Sequence, residues 1–190
     1  IIENILPMLS MTNGGMFMLF TSYRALESAK KYINLIKHKL NNRKILVQGD
    51  SPRDDLVRKF RQCGNAILLG TGSFWQGIDV RGQALTIVVI DKLPFVSPAD
   101  PILIARLEFI RRNGGNGFLT HQLPLAALSL KQGVGRLLRD KNDYGVIVLC
   151  DSRIKSKNYG KYFLKSLTPM QTTESIDDVR FFLRGHGNIN

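Results

Sequence analysis

The chain has 190 residues, with 27 Lys and Arg against 15 Asp and Glu, a formal net charge of +12. Hydrophobic residues make up 44%, which allows a packed core and excludes a disordered or collagen-like chain, while every apolar run is too short to span a bilayer. The cationic excess points to a partner with phosphates: nucleic acid, nucleotide or an anionic membrane surface.

Ile2, Ile5, Leu6 and Leu9 fall at helical spacing and predict a helix over residues 1–11, ended by Asn13-Gly14-Gly15. The apolar run 16–20 predicts a buried strand. Leu26, Ala29, Ile33, Ile36 and Leu40 predict a helix over 22–40, capped by Ser22. Strand and helix then alternate. Residues 44–48 read as a strand, Ser51-Pro52 as a helix start, 66–69 as a strand ending at Gly70, and 85–90 as the strongest strand. Residues 98–111 and 122–139 read as helices and 145–150 as a strand, with short helices near 159–167 and 176–183. Strands apolar on both faces, separated by helices, predict an α/β fold: a mainly parallel sheet between two helical layers. Ligands of such sheets bind outside the carboxyl ends of the strands. The loops of interest are therefore Thr21-Ser22, Gln48-Gly49-Asp50, 70–82, Asp91-Lys92 and 151–155.

Cys63 and Cys150 are far apart in sequence and form no CxxC, so two buried thiols in a reducing, cytoplasmic setting are expected. His38, His121 and His186 have no metal-ligand spacing. The chain starts Ile1-Ile2-Glu3 without a signal-peptide pattern and reads as a piece of a longer protein. There is no G-x-x-x-x-G-K-[ST] and no G-x-G-x-x-G. Asp91 ends an apolar strand, but Lys92 follows where a second carboxylate would help to hold a metal.

Three segments carry chemistry. In Gln132-Gly133-Val134-Gly135-Arg136-Leu137-Leu138-Arg139, a continuous helix would put Gln132, Gly135, Arg136 and Arg139 on one face. Two guanidinium groups one turn apart can grip one phosphoryl group and stabilise its transition-state charge; ion pairs on a solvated face are the plain alternative. The stretch 70–82 combines glycines after a strand with the Thr71 and Ser73 hydroxyls, suited to phosphate, and with Gln76 and Asp79, which can converge on one site. Phe20-Thr21-Ser22-Tyr23 places hydroxyls where a strand hands over to a helix, a phosphate-binding position or an ordinary cap.

In this order, the segments resemble the second motor domain of superfamily 2 DNA helicases of the XPD/DinG-like branch, most closely its bacterial DinG/YoaA members. Residues 17–26 look like motif IV, 70–82 like motif V, and Gln132-x-x-Gly135-Arg136-x-x-Arg139 like motif VI. Asp91-Lys92-Leu93-Pro94-Phe95 with Ser97-Pro98 and Asp100-Pro101, and Asp151-Ser152-Arg153 with Tyr159-Gly160, are also similar to family signatures. The resemblance implies a RecA-like domain over residues 1–170 followed by a helical tail, 171–190. It implies that Arg136 and Arg139 are arginine fingers to ATP, with Gln132, Gly135, Asp79 and Gln76 at the nucleotide. Thr21, Ser22, Thr71 and Ser73 would touch the backbone of single-stranded DNA. ATP and Mg²⁺ would be held mainly by an N-terminal helicase domain outside this chain, as would any iron–sulfur cluster. Many family members have an acid before the Gly-Ile-Asp of motif V; here it is the neutral Gln76. A nucleic-acid-binding module without motor action is the alternative, and no membrane partner is expected. Cations in stretches 24–44 and 153–165 would provide sequence-independent backbone contacts.

Overall fold

The computed structural model describes residues 2–75, 84–135, 137 and 143–186, with backbone only at Ser73 and Trp75. Strands β1 (Gly15–Leu19), β2 (Ile45–Val47), β3 (Ile67–Gly70), β4 (Leu85–Ile90) and β5 (Val146–Leu149) form one parallel sheet in the order β2-β3-β1-β4-β5. The three inner strands, β3, β1 and β4, are buried on both faces, as their unbroken apolar runs require.

Side chains alternate across the sheet and build two cores. On one face Phe17, Leu19, Leu68, Val88 and Ile90 meet α3 (Arg53–Cys63), α4 (Gly72–Trp75), α6 (Leu123–Val134) and α8 (Gly160–Ser166). On the other, Met16, Met18, Ile67, Leu69, Ile87 and Val89 meet α1 (Ile2–Leu9) and α2 (Tyr23–Leu35), with α9 (Ile176–His186) packed against the same core. Both α1 and α2 are amphipathic, so each has one face to bury. The expected cap is present: Ser22 Oγ accepts a hydrogen bond from the Ala25 amide at 3.2 Å.

Three differences from expectation have physical causes. The helix expected over 98–111 is α5 (Pro101–Arg112): Asp100 caps it by accepting from the Leu103 amide at 2.8 Å, and Pro101 fills the first helical position. The helix expected over 122–139 is preceded by a π-turn at Phe118–Gln122, and α6 ends at Val134. Gly133 and Gly135 weaken helix continuation, and the Leu137 amide turns back to the Val134 carbonyl at 3.0 Å. Arg136, Leu138 and Arg139 lie outside the described residues, so of the face expected from Gln132 to Arg139 only Gln132 and Gly135 are described. The helix expected over 22–40 stops at Leu35 and tightens into a 3₁₀ turn at Lys37–Lys39. Cys63 and Cys150 are half-buried, unpaired thiols, and burial pushes Cys150 up to about 11.

Arg43 is a cation folded into the interior. It is 5% exposed. Its Nη1 donates to the carbonyls of Gly14 (2.6 Å) and Asn65 (2.8 Å), and its Nη2 to those of Leu9 (2.8 Å) and Thr12. One guanidinium thereby ties the end of α1 to the entries of β1 and β3, satisfying carbonyls that would otherwise be dry.

Candidate functional site

From β1 the chain moves to β2 and β3 on one side; from β3 it crosses β1 to reach β4 and β5 on the other. The crevice between the carboxyl ends of β1 and β4 is thus the topological switch point, where ligands of open α/β sheets bind. The ladder continues one residue past the strands here. The Phe20 amide donates to Gly70 O (2.8 Å), Gln48 to Leu69 O (2.9 Å), Asp91 to Leu19 O (3.1 Å) and Cys150 to Ile90 O (2.9 Å). The loops leave from one stitched edge.

Thr21 and Ser22 are exposed on this edge. The Thr21 amide donates to Asp91 Oδ1 at 3.1 Å, fixing the β1 loop to the end of β4. Asp91 is itself buried; burial raises its pKa, and the amides of Thr21 and Lys92 act against that shift. Thr71 lies on the same edge but is buried. Its amide donates to Gln48 Oε1 at 2.6 Å and its hydroxyl donates to the same oxygen at 3.1 Å. The amide nitrogen of Gln48 donates to Tyr23 Oη at 2.8 Å. Gly70 is a glycine for packing: a Cβ there would stand 2.8 Å from Phe74. A Cβ on Gly72 would meet nothing within 4 Å, so bare backbone faces open space beside Ser73.

The two segments around Asp91-Lys92-Leu93-Pro94-Phe95 and Asp151-Ser152-Arg153 prove to be one unit. Asp151 Oδ2 accepts from the Leu93 amide at 2.9 Å and from Arg153 Nη2 at 2.6 Å, while Oδ1 accepts from the Arg153 amide at 3.0 Å. Burial pushes this carboxyl up, but the hydrogen bonds from Arg153 and Leu93 outweigh it and hold it down at about 2. The Arg153 guanidinium lies over the Phe95 ring, 5.4 Å from its centroid, and Phe95 packs against Phe118, Tyr159 and Phe163. Gly160 is required: a Cβ there would stand 1.9 Å from the Ile154 carbonyl.

Gln132 and Gly135 sit elsewhere. The crossover helix α6 returns from the carboxyl edge toward the amino edge. Beyond it, Gly145 is flanked by Leu137 and by the carbonyl of Thr86, near the start of β4. Gln132 is half-buried and Gly135 exposed at this far end of α6. The structure thus brings Thr21, Ser22 and Thr71 together and separates them from Gln132 and Gly135. Gln76, Asp79, Arg136 and Arg139 lie outside the described residues. Among the described residues no group of three His, Cys, Asp or Glu could hold a metal. The carboxylates at the strand ends are occupied by amides and a guanidinium, so they do not fit Mg²⁺. Gln48, Tyr23, Asp151 and Arg153 fall in segments that the sequence marks as loops of interest or family signatures, but it gives none of them a role in building the edge. The available signal was a polar side chain immediately after each apolar strand.

Residues 5–170 match the family described as helicase C-terminal domain. The chain is 45% identical over 170 residues to the ATP-dependent DNA helicase YoaA of Escherichia coli, covering 90% of this chain and 26% of that protein. It is 39% identical over 183 residues to the ATP-dependent helicase DinG of Mycobacterium tuberculosis, covering 96% of this chain and 27% of that protein. The chain therefore spans about a quarter of the length of these relatives. A solved XPD helicase structure superposes with a TM-score of 0.65 at 23% identity, over 90% of this chain and 31% of that one, and shares its RecA-like fold. No described helix is long and apolar enough to cross a membrane. With a family match over most of its length and the RecA-like sheet beneath it, the chain belongs to the helicase C-terminal domain family, in the DinG/XPD-like branch of superfamily 2.

Proposed function

We propose that this chain is the second motor domain of an ATP-dependent DNA helicase. The observation that carries the reading is the stitched carboxyl edge, where the exposed Thr21, Ser22 and Tyr23 are tied through Asp91, Gln48 and Thr71 to the ends of β4, β2 and β3 in a cationic chain. Single-stranded DNA runs along this edge, its backbone met by the loops bearing Thr21, Ser22, Thr71 and Ser73. ATP lies at the face formed by motifs V and VI, against an N-terminal helicase domain whose residues hold most of the nucleotide and Mg²⁺. ATP supplies the energy of phosphoryl transfer. Arg136 and Arg139 stabilise the charge on the transferring group when the two domains close, and Gln132, Gly135, Asp79 and Gln76 border the nucleotide. An iron–sulfur cluster, where the full protein has one, sits in the first domain.

The test is Arg136→Ala in the full-length protein. DNA-stimulated ATP hydrolysis falls by about 10³-fold or more, as for other arginine fingers, while single-stranded DNA binding persists. Near-normal turnover would refute the assignment. So would ATP hydrolysis by the 190-residue chain alone, which lacks a P-loop. DNA binding with no ATPase in the wild-type full-length protein would instead mark a binding module without motor action.

A further inference from the structure

We propose that Tyr23, oriented by Gln48, is the residue at this edge whose hydroxyl donates to a nucleic-acid phosphate, and that the hydroxyl of Thr71 does not. The inference rests on the reading that DNA follows the carboxyl edge of the sheet; it assigns the donor within that surface.

The argument is one of proton direction. A backbone amide can only donate. The Gln48 atom 2.6 Å from the Thr71 amide must therefore be the carbonyl oxygen, which fixes which way the side-chain amide is turned. The Thr71 hydroxyl, 3.1 Å from that same oxygen, must then also donate to it. Its single proton is directed into the protein, and Thr71 is 5% exposed. The other end of Gln48 is the NH₂ group, a donor only. It meets Tyr23 Oη at 2.8 Å, so the tyrosine oxygen accepts and its own proton is left to point outward. Tyr23 is 62% exposed, at the first position of α2, immediately after Thr21 and Ser22. Nothing else among the described residues accepts that proton. Gln48 thus turns the Thr71 proton inward and the Tyr23 proton outward, and ties the ends of β1, β2 and β3 together. A neutral O–H donor facing solvent between loops that flank a polymer of phosphates is suited to a phosphate oxygen, a charge-assisted contact.

The test uses the full-length protein and a labelled oligothymidylate, with affinity measured over a range of salt. Tyr23→Phe keeps the ring and removes the donor. Affinity falls about tenfold, the expected loss for a hydrogen bond to a charged group. The slope of log affinity against log salt stays unchanged, because no cation is lost. Thr71→Val leaves affinity within about twofold, since its proton is already satisfied inside. Gln48 is a positioning residue, and a double-mutant cycle reads its role: in a Gln48→Met background, Tyr23→Phe costs less than about threefold. A merely structural Gln48 would leave the Tyr23→Phe penalty intact. Wild-type affinity in Tyr23→Phe, or a loss in Thr71→Val equal to that in Tyr23→Phe, overturns the assignment. Wild-type affinity in Tyr23→Phe with loss only in Tyr23→Ala would mean base stacking on the ring, and also overturns it. If the wild-type protein binds no oligothymidylate, the functional reading itself falls; in every other outcome that reading stands while Tyr23 is judged.

Discussion

Replacing Asp151 by Asn tests whether the β4–β5 unit is held by charge. The carboxylate is 8% exposed and accepts two backbone amides and a forked guanidinium. An amide of the same shape offers one acceptor atom and turns an NH₂ group toward Arg153 or the Leu93 N–H, so a donor faces a donor. The size of the effect follows from the carboxyl's displacement, from 3.8 to about 2. At about 1.4 kcal/mol per pKa unit, the ionised form stabilises the fold by about 2–3 kcal/mol. That is a large part of a total that runs to about 5–15 kcal/mol for a domain, and it lowers the melting temperature by roughly 5–10 °C.

The pH dependence fixes the cause. The folded carboxyl sits below its unfolded value, so its contribution is complete above the unfolded pKa and is lost as pH falls through the folded one. Asp151→Asn should therefore be about 2–3 kcal/mol less stable than wild type near pH 7, about half that near pH 3, and nearly equal below about pH 2. Urea unfolding followed by circular dichroism at each pH measures the difference. A deficit under about 0.5 kcal/mol near pH 7 would refute the reasoning. So would a deficit that stays constant with pH, because packing loss does not titrate.

Two further outcomes are expected. Arg43→Met leaves the carbonyls of Leu9, Thr12, Gly14 and Asn65 without their donor and should cost about 3–5 kcal/mol in the same unfolding assay; a cost below about 1 kcal/mol would show that water replaces the guanidinium freely. In the full-length protein, Arg24→Glu with Lys92→Glu, both at the carboxyl edge, should weaken single-stranded DNA binding about tenfold or more, while Lys37→Glu with Lys39→Glu leaves it within about twofold. Equal loss in both pairs, measured by fluorescence anisotropy, would move the DNA off that edge.

The fold was legible because its strands are unbroken apolar runs: Leu85–Ile90 and its neighbours could be nothing but buried, and buried parallel strands demand helices on both faces. Helix ends were less legible where backbone chemistry competes with periodicity. Asp100 and Pro101 start α5 three residues later than the expected start at 98, and two glycines end α6 while its apolar pattern continues. The site was legible by residue type and not by direction. Thr71 reads in sequence as an exposed hydroxyl because it follows a strand and sits among glycines. Only the pairing of β2 with β3, which is long-range, brings Gln48 over it. The same holds for Asp151 and Leu93, joined across 58 positions by the pairing of β4 with β5.

The net charge divides once each cation is placed. In the stretch 24–44, Arg43 is buried against carbonyls and Lys30 lies 2.6 Å from Asp50. In the stretch 153–165, Arg153 is bound to Asp151 and Lys155 pairs with Glu174. Position separates the rest. The 13 residues of α2 rise about 20 Å from the carboxyl edge at Ser22 toward the amino edge. Lys37 and Lys39 therefore lie about two Debye lengths, at roughly 10 Å each, from phosphates that Arg24 would meet directly. On the proposed reading, a strand along the carboxyl edge would be met by exposed cations beside the strand ends, Arg24 and Lys92 among them, and those at the amino edge would add only a screened background. The salt slope of binding should then report the phosphates met at one edge, a number smaller than the formal charge of +12.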